Sequence, residues 1–125
     1  MNIRIFLIDE HGPAREILAR RLESVQGLEV VGSTSNSEAA IRDIVALSPD
    51  LVLIDTKMKQ ADGIDVCRRL LATGEQTKVV VLTSYLDPDE RRQAYEAGVE
   101  GYLLKIVDTG SLSDWIRLAV EREPT

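Results

Sequence analysis

The sequence predicts an α/β fold, a doubly wound, mainly parallel sheet with helices on both faces. Three observations carry this prediction. Five short runs rich in Val, Ile and Leu recur along the 125 residues. Each run is continuous rather than alternating, the pattern of a strand covered on both faces. Between the runs the apolar period becomes helical, so strand and helix alternate five times. That alternation leads to parallel strands joined by right-handed crossovers.

The elements follow in order. The first run is Ile3 to Ile8. After Pro13, a good first-turn residue, Ala14, Ile17, Leu18, Leu22 and Val25 recur at helical spacing. Leu28 to Gly32 is the second run. Ser35-Asn36-Ser37-Glu38 then has capping-box spacing ahead of Ile41, Ile44 and Val45. Leu51 to Ile54 is the third run, and Asp62-Gly63 opens a helix with the stripe Ile64, Cys67, Leu70 and Leu71. Val79 to Leu82 is the fourth. Asp87 is placed to cap the next helix, with Pro88 at its first position. Tyr102 to Leu104 is the fifth run, and Leu112, Trp115, Ile116, Ala119 and Val120 make the last stripe. Residues 121–125 are polar and read as a tail or the start of a linker.

Composition bounds the function. With 44% hydrophobic and 29% charged residues, residues 1–125 read as one ordinary domain. The single cysteine, Cys67, excludes an internal disulfide and a cysteine metal cluster, and suits a reducing compartment. A lone His11 excludes a histidine-rich metal site. No apolar run approaches the ~18 residues of a membrane span, and the first residues lack the apolar stretch of a signal peptide. A cytoplasmic location is expected. The net charge of −6, from 15 basic and 21 acidic residues, disfavours direct binding to nucleic acid. Arg20-Arg21, Arg68-Arg69 and Arg91-Arg92 read as solvated helix faces.

In such a sheet ligands sit outside the carboxyl ends of the strands. Four of the five runs end in a polar or ionisable group: Asp9-Glu10, Asp55, Thr83-Ser84 and Lys105. If those strands are neighbours, the groups share one crevice. Three carboxylates there, Asp9, Glu10 and Asp55, would repel one another. Removing the Asp9 charge is then expected to stabilise the chain, and a divalent cation is the simplest compensation. Mg²⁺ suits one or two carboxylates plus waters. Metal, the Lys105 ammonium and the Thr83 hydroxyl match the needs of a phosphoryl group, which a carboxylate can carry as an aspartyl phosphate.

The constellation resembles the receiver domains of two-component response regulators, and the resemblance covers nearly the whole chain. Leu7-Ile8-Asp9-Glu10-His11 is similar to the family's acidic strand end, and Leu51-Val52-Leu53-Ile54-Asp55 to its phosphoacceptor strand. Met58 and Gly63 fit its loop pattern. Val81-Leu82-Thr83-Ser84 carries the switch hydroxyl, and Gly101-Tyr102-Leu103-Leu104-Lys105 the switch aromatic and the lysine. The last motif looks most like the subfamily with a helix-turn-helix output domain. The resemblance implies a flavodoxin-like (βα)5 fold with strand order 2-1-3-4-5. It implies phosphorylation of Asp55 by a sensor histidine kinase, with Mg²⁺ on Asp9, Glu10, Asp55 and the Lys57 backbone carbonyl. Thr83 and Lys105 would act on the phosphoryl group. Thr83 would move toward it, and Tyr102 would turn inward to fill the space. The face of the fourth helix, fifth strand and fifth helix would then change, to act on a DNA-binding output domain, a partner or a second copy of the chain. Lys57 and Tyr85 flank the phosphoryl position and would tune access of water.

Three residues depart from the family pattern: Glu10 where Asp is usual, and Lys59 and Ile106 where Pro is common. They keep open the alternative of a degenerate receiver that binds partners without phosphorylation. A haloacid-dehalogenase phosphatase is disfavoured by Lys57, which stands where its second Asp is needed. A flavodoxin is disfavoured by Asp9-Glu10, which would repel a flavin phosphate. No enzymatic turnover beyond self-phosphorylation and self-dephosphorylation is expected. Bland roles fit the remaining residues: local hydrogen bonding for His11, a small core residue for Cys67, core or interface edge for Trp115.

Overall fold

The computed structural model describes residues 2–73 and 76–121. Strands β1 (Ile3–Ile8), β2 (Leu28–Thr34), β3 (Leu51–Ile54), β4 (Lys78–Thr83) and β5 (Gly101–Leu104) form one parallel sheet in the order β2-β1-β3-β4-β5. Helices α1 (Gly12–Glu23), α2 (Ser37–Leu47), α3 (Gly63–Leu71), α4 (Pro88–Ala97) and α5 (Thr109–Glu121) make the crossovers. The expected doubly wound fold and strand order are both present. Three strands run slightly beyond their apolar runs, because backbone pairing continues through Ser33-Thr34, Lys78, Thr83 and Gly101. Glu121 closes α5, so only 122–125 of the expected tail lie outside the described residues.

Successive strand residues face opposite layers. Phe6, Ile8, Val52, Ile54, Val79 and Val81 pack with Ala40 and Ile44 of α2, Ile64, Cys67 and Leu70 of α3, and Ala94 of α4. Ile5, Leu7, Leu51, Leu53, Val80 and Leu82 pack with Leu18 and Leu22 of α1 and Leu112, Ile116 and Ala119 of α5. This double cover explains the continuous apolar runs. Not every stripe residue is used: Ile17 and Val45 stay exposed.

The helix caps refine the sequence reading. Asp87 caps α4 as expected, and Asp62 caps α3, each accepting two backbone N–H bonds. At α2 the cap is Asn36, which accepts from the Ala39 N–H, rather than Ser35. Glu38, the expected box partner, pairs instead with Arg69 on α3 at 2.6 Å. At α1, His11 is the cap and accepts from Ala14 through Nδ1, the local role expected of it.

Register sets the site. Ile8 pairs with Ile54, and Thr83 with Leu104. The Asp55 N–H donates to the Ile8 carbonyl, and the Lys105 N–H to the Thr83 carbonyl. The residues just past β1, β3, β4 and β5 therefore lie side by side at one edge of the sheet.

Candidate functional site

Three of the expected groups meet directly. The Lys105 ammonium donates to Asp9 Oδ2 at 2.7 Å and pairs with Asp55 Oδ2 at 2.6 Å. The two carboxylates are nearly buried, at 7% and 11% side-chain exposure. Burial works against the ammonium, but its bonds to Asp55 and Asp9 outweigh that and hold the Lys105 pKa above the ordinary lysine value. The other oxygens are also engaged. Asp9 Oδ1 accepts the His11 N–H at 2.9 Å, and Asp55 Oδ1 accepts the Lys57 N–H at 2.9 Å. Arg15 of α1 donates to the Asp9 carbonyl at 2.7 Å and steadies that strand end.

Glu10 does not join them. Its carboxylate accepts the N–H groups of Lys59, at 2.7 Å, and Gln60, at 3.0 Å, in the loop between β3 and α3. No group of three or more acidic, His or Cys side chains is gathered for a metal among the described residues. The expectation of three mutually repelling acids is thus corrected. Two backbone donors draw Glu10 away, and Lys105 offsets one of the two remaining charges. Removing the Asp9 charge would now cost a charge-assisted bond to Lys105, which opposes the relief of repulsion from Asp55.

The donor set still fits Mg²⁺. Asp9 Oδ2 and Asp55 Oδ2 contact the same ammonium nitrogen, so one cation can reach both, and Mg²⁺ takes one or two carboxylates and fills its shell with water. The Lys57 backbone lies beside Asp55, and its carbonyl is a third oxygen donor of suitable kind.

Thr83 is fully buried, and its hydroxyl donates to the Tyr85 carbonyl at 3.0 Å. Tyr102 was expected to turn inward only on phosphorylation; it is already buried. Its hydroxyl donates to Glu90 Oε1 at 2.8 Å and accepts from the Asp87 N–H at 3.3 Å. The same Glu90 oxygen accepts from Thr56 Oγ1 at 2.8 Å and from the Lys57 ammonium at 2.7 Å. Lys57 also lies over the Tyr85 ring, 4.5 Å from its centre. Burial would raise the Glu90 pKa, but the bonds from Lys57, Tyr102 and Thr56 prevail and lower it. Burial, and then the Glu90 bond, raise the Tyr102 pKa. Sequence reasoning missed Glu90. As an acid in the first turn of α4 it looked only like part of a helix start, and its partners come from distant elements.

Gly63, read as part of a loop pattern, has a steric reason. A Cβ there would run into the backbone of Thr56, the residue after Asp55. The start of α3 therefore sits directly on the loop that follows β3.

The chain is similar in sequence and fold to known proteins. The family model described as response regulator receiver domain matches residues 5–117. The transcriptional regulatory protein LiaR of Bacillus subtilis (strain 168) is 38% identical over 122 residues, covering 98% of this chain and 58% of that protein. The response regulator protein VraR of Staphylococcus epidermidis is 32% identical over 123 residues, covering 98% of this chain and 59% of that protein. The chain thus spans about three fifths of the length of these curated relatives. A LuxR-family two-component response regulator from Aurantimonas sp. SI85-9A1 superposes with a TM-score of 0.88 at 27% identity, covering 96% of this chain and 86% of that one. No helix among the described residues is long and apolar enough to cross a membrane. With fold and sequence in agreement, the chain belongs to the response regulator receiver domain family.

Proposed function

We propose that the chain is a phosphorylation-controlled switch whose phosphoacceptor is Asp55, supplied by a sensor histidine kinase in the cytoplasm. The observation that supports this reading is the Lys105 ammonium shared between the Asp9 and Asp55 carboxylates at the open edge of the sheet. An Asp55 oxygen forms the O–P bond as the donor's P–N bond breaks, and the electron pair stays on the imidazole nitrogen. Lys105 bonds the phosphoryl oxygens as charge builds on them. Asp9, Asp55 and the Lys57 carbonyl, joined by Glu10, would hold Mg²⁺, which supplies further positive charge to the phosphoryl oxygens. The Thr83 hydroxyl exchanges the Tyr85 carbonyl for a phosphoryl oxygen, a stronger, charge-assisted acceptor. Tyr102 and α4 answer through Glu90 rather than by an inward swing of the ring. Lys57 and Tyr85, stacked on each other, govern the approach of water. The α4-β5-α5 face then acts on a DNA-binding output domain, on a partner or on a second copy. The chain transforms no substrate other than its own phosphoaspartate.

Incubation with acetyl phosphate and Mg²⁺ tests this. Intact-mass spectrometry should show one added phosphoryl group, absent in Asp55→Asn. Equal labelling of Asp55→Asn would refute the acceptor; no labelling of the native chain would leave a phosphorylation-independent binding module.

A further inference from the structure

Glu10 is the one acid of the strand-end set that lies apart. It lines a groove with Asn36, Met58 and Asp62, whereas Asp9, Asp55 and Lys105 line a separate cavity. Its two carboxylate oxygens take two successive loop amides, those of Lys59 and Gln60. We propose that this contact is a latch: Glu10 holds the loop before α3 through the Lys59 and Gln60 amides and must release it to reach a divalent cation at Asp9 and Asp55. The inference rests on the reading that those two aspartates hold such a cation.

The chemistry of the two ends supports a specific pair. Only a residue with a backbone N–H can donate at position 59, so proline there would remove the shorter bond. Aspartate at position 10 is one methylene shorter and would not span to both amides from the same backbone position. Glu10 and Lys59 are two of the three residues that depart from the receiver pattern, and the structure makes them the two ends of one contact. Both hydrogen bonds involve an ionised acceptor, the stronger class. The carboxylate therefore has a defined competing partner, not merely water. Linkage then fixes the sign. Whatever opens the latch tightens the cation, and the cation loosens the loop by the same factor.

Residue-resolved amide hydrogen exchange on the 125-residue chain, with MgCl₂ binding followed by calorimetry, tests the latch. Saturating Mg²⁺ should speed exchange of the Lys59 and Gln60 amides by about tenfold, within the usual range of coupling between sites. Lys59→Pro should bind Mg²⁺ about tenfold tighter than Lys59→Ala, since both lack the ammonium but only proline lacks the N–H. Mg²⁺ binding with both amides unchanged in the native chain overturns the latch alone and needs no variant. Equal Mg²⁺ affinity of the two folded variants overturns it too. Absence of any Mg²⁺ binding removes the metal reading and the latch together.

Discussion

Replacing Lys105 with Met leaves two nearly buried carboxylates facing each other without their shared cation. Each loses a charge-assisted bond, of 2.7 Å to Asp9 and 2.6 Å to Asp55. Removing one partner of a fully buried ion pair costs about 3–5 kcal/mol. Here Lys105 is 23% exposed, so water offsets part of the loss, and about 2–3 kcal/mol is expected. For a domain of this size that lowers Tm by about 10 °C. The pH dependence is the sharper test. On the alkaline side the native Lys105 pKa is raised. Its contribution is complete below the unfolded lysine value of ~10.4 and is lost as pH rises through the folded value. The gap should therefore close as the ammonium loses its proton. Urea and thermal unfolding of both proteins across this range, without divalent cations, measure it. Equal stability near neutrality, or a gap that survives loss of the ammonium at high pH, would refute the argument.

Glu90→Ala removes the acceptor of three donors and should destabilise the chain by about 1–3 kcal/mol. The Tyr102 phenol should also titrate at lower pH than in the native chain, although burial still raises it; spectrophotometric titration reads this, and an unshifted phenol counts against the contact. Gly63→Ala removes no functional group, yet its methyl meets the Thr56 backbone, so a loss of about 1–3 kcal/mol in chemical denaturation is expected. Burial pushes the Cys67 thiol up to about 12, so iodoacetamide at mildly alkaline pH should label it only after denaturation; rapid labelling of the folded chain would contradict its core position.

What the sequence made legible was whatever depends on local burial. The strand positions could be read because a sheet covered on both faces demands unbroken apolar runs, as in Leu51 to Ile54. The stripes of α3 and α5 could be read for the same reason, with Cys67 and Leu112 fully buried. Asp9, Asp55 and Lys105 were found because strand ends align in a parallel sheet. The rest depends on contacts between distant segments. Ser35 and Asn36 are both good caps, and the choice was hidden because Arg69, from α3, engages Glu38. Glu10 looks like a partner of Asp9 until amides fifty residues further on compete for it. The inward position of Tyr102 rests on Glu90, a link no spacing pattern encodes.

The convergence on Glu90 Oε1 has a thermodynamic consequence. Thr56 and Lys57 follow Asp55, Tyr102 belongs to β5, and Glu90 to α4. Three donors on one oxygen share its charge, so losing one lets the other two shorten and recover part of the loss. Substitutions at these positions should therefore fail to add, with coupling of about 0.5–3 kcal/mol between neighbours of this kind. Position 57 and position 102 should report on each other in a double-mutant cycle although their side chains meet only through a third residue. In a Glu90→Ala background the same pair should become independent. Variation at these four sites is thus constrained as a set: a change tolerated at one depends on which residues occupy the other three.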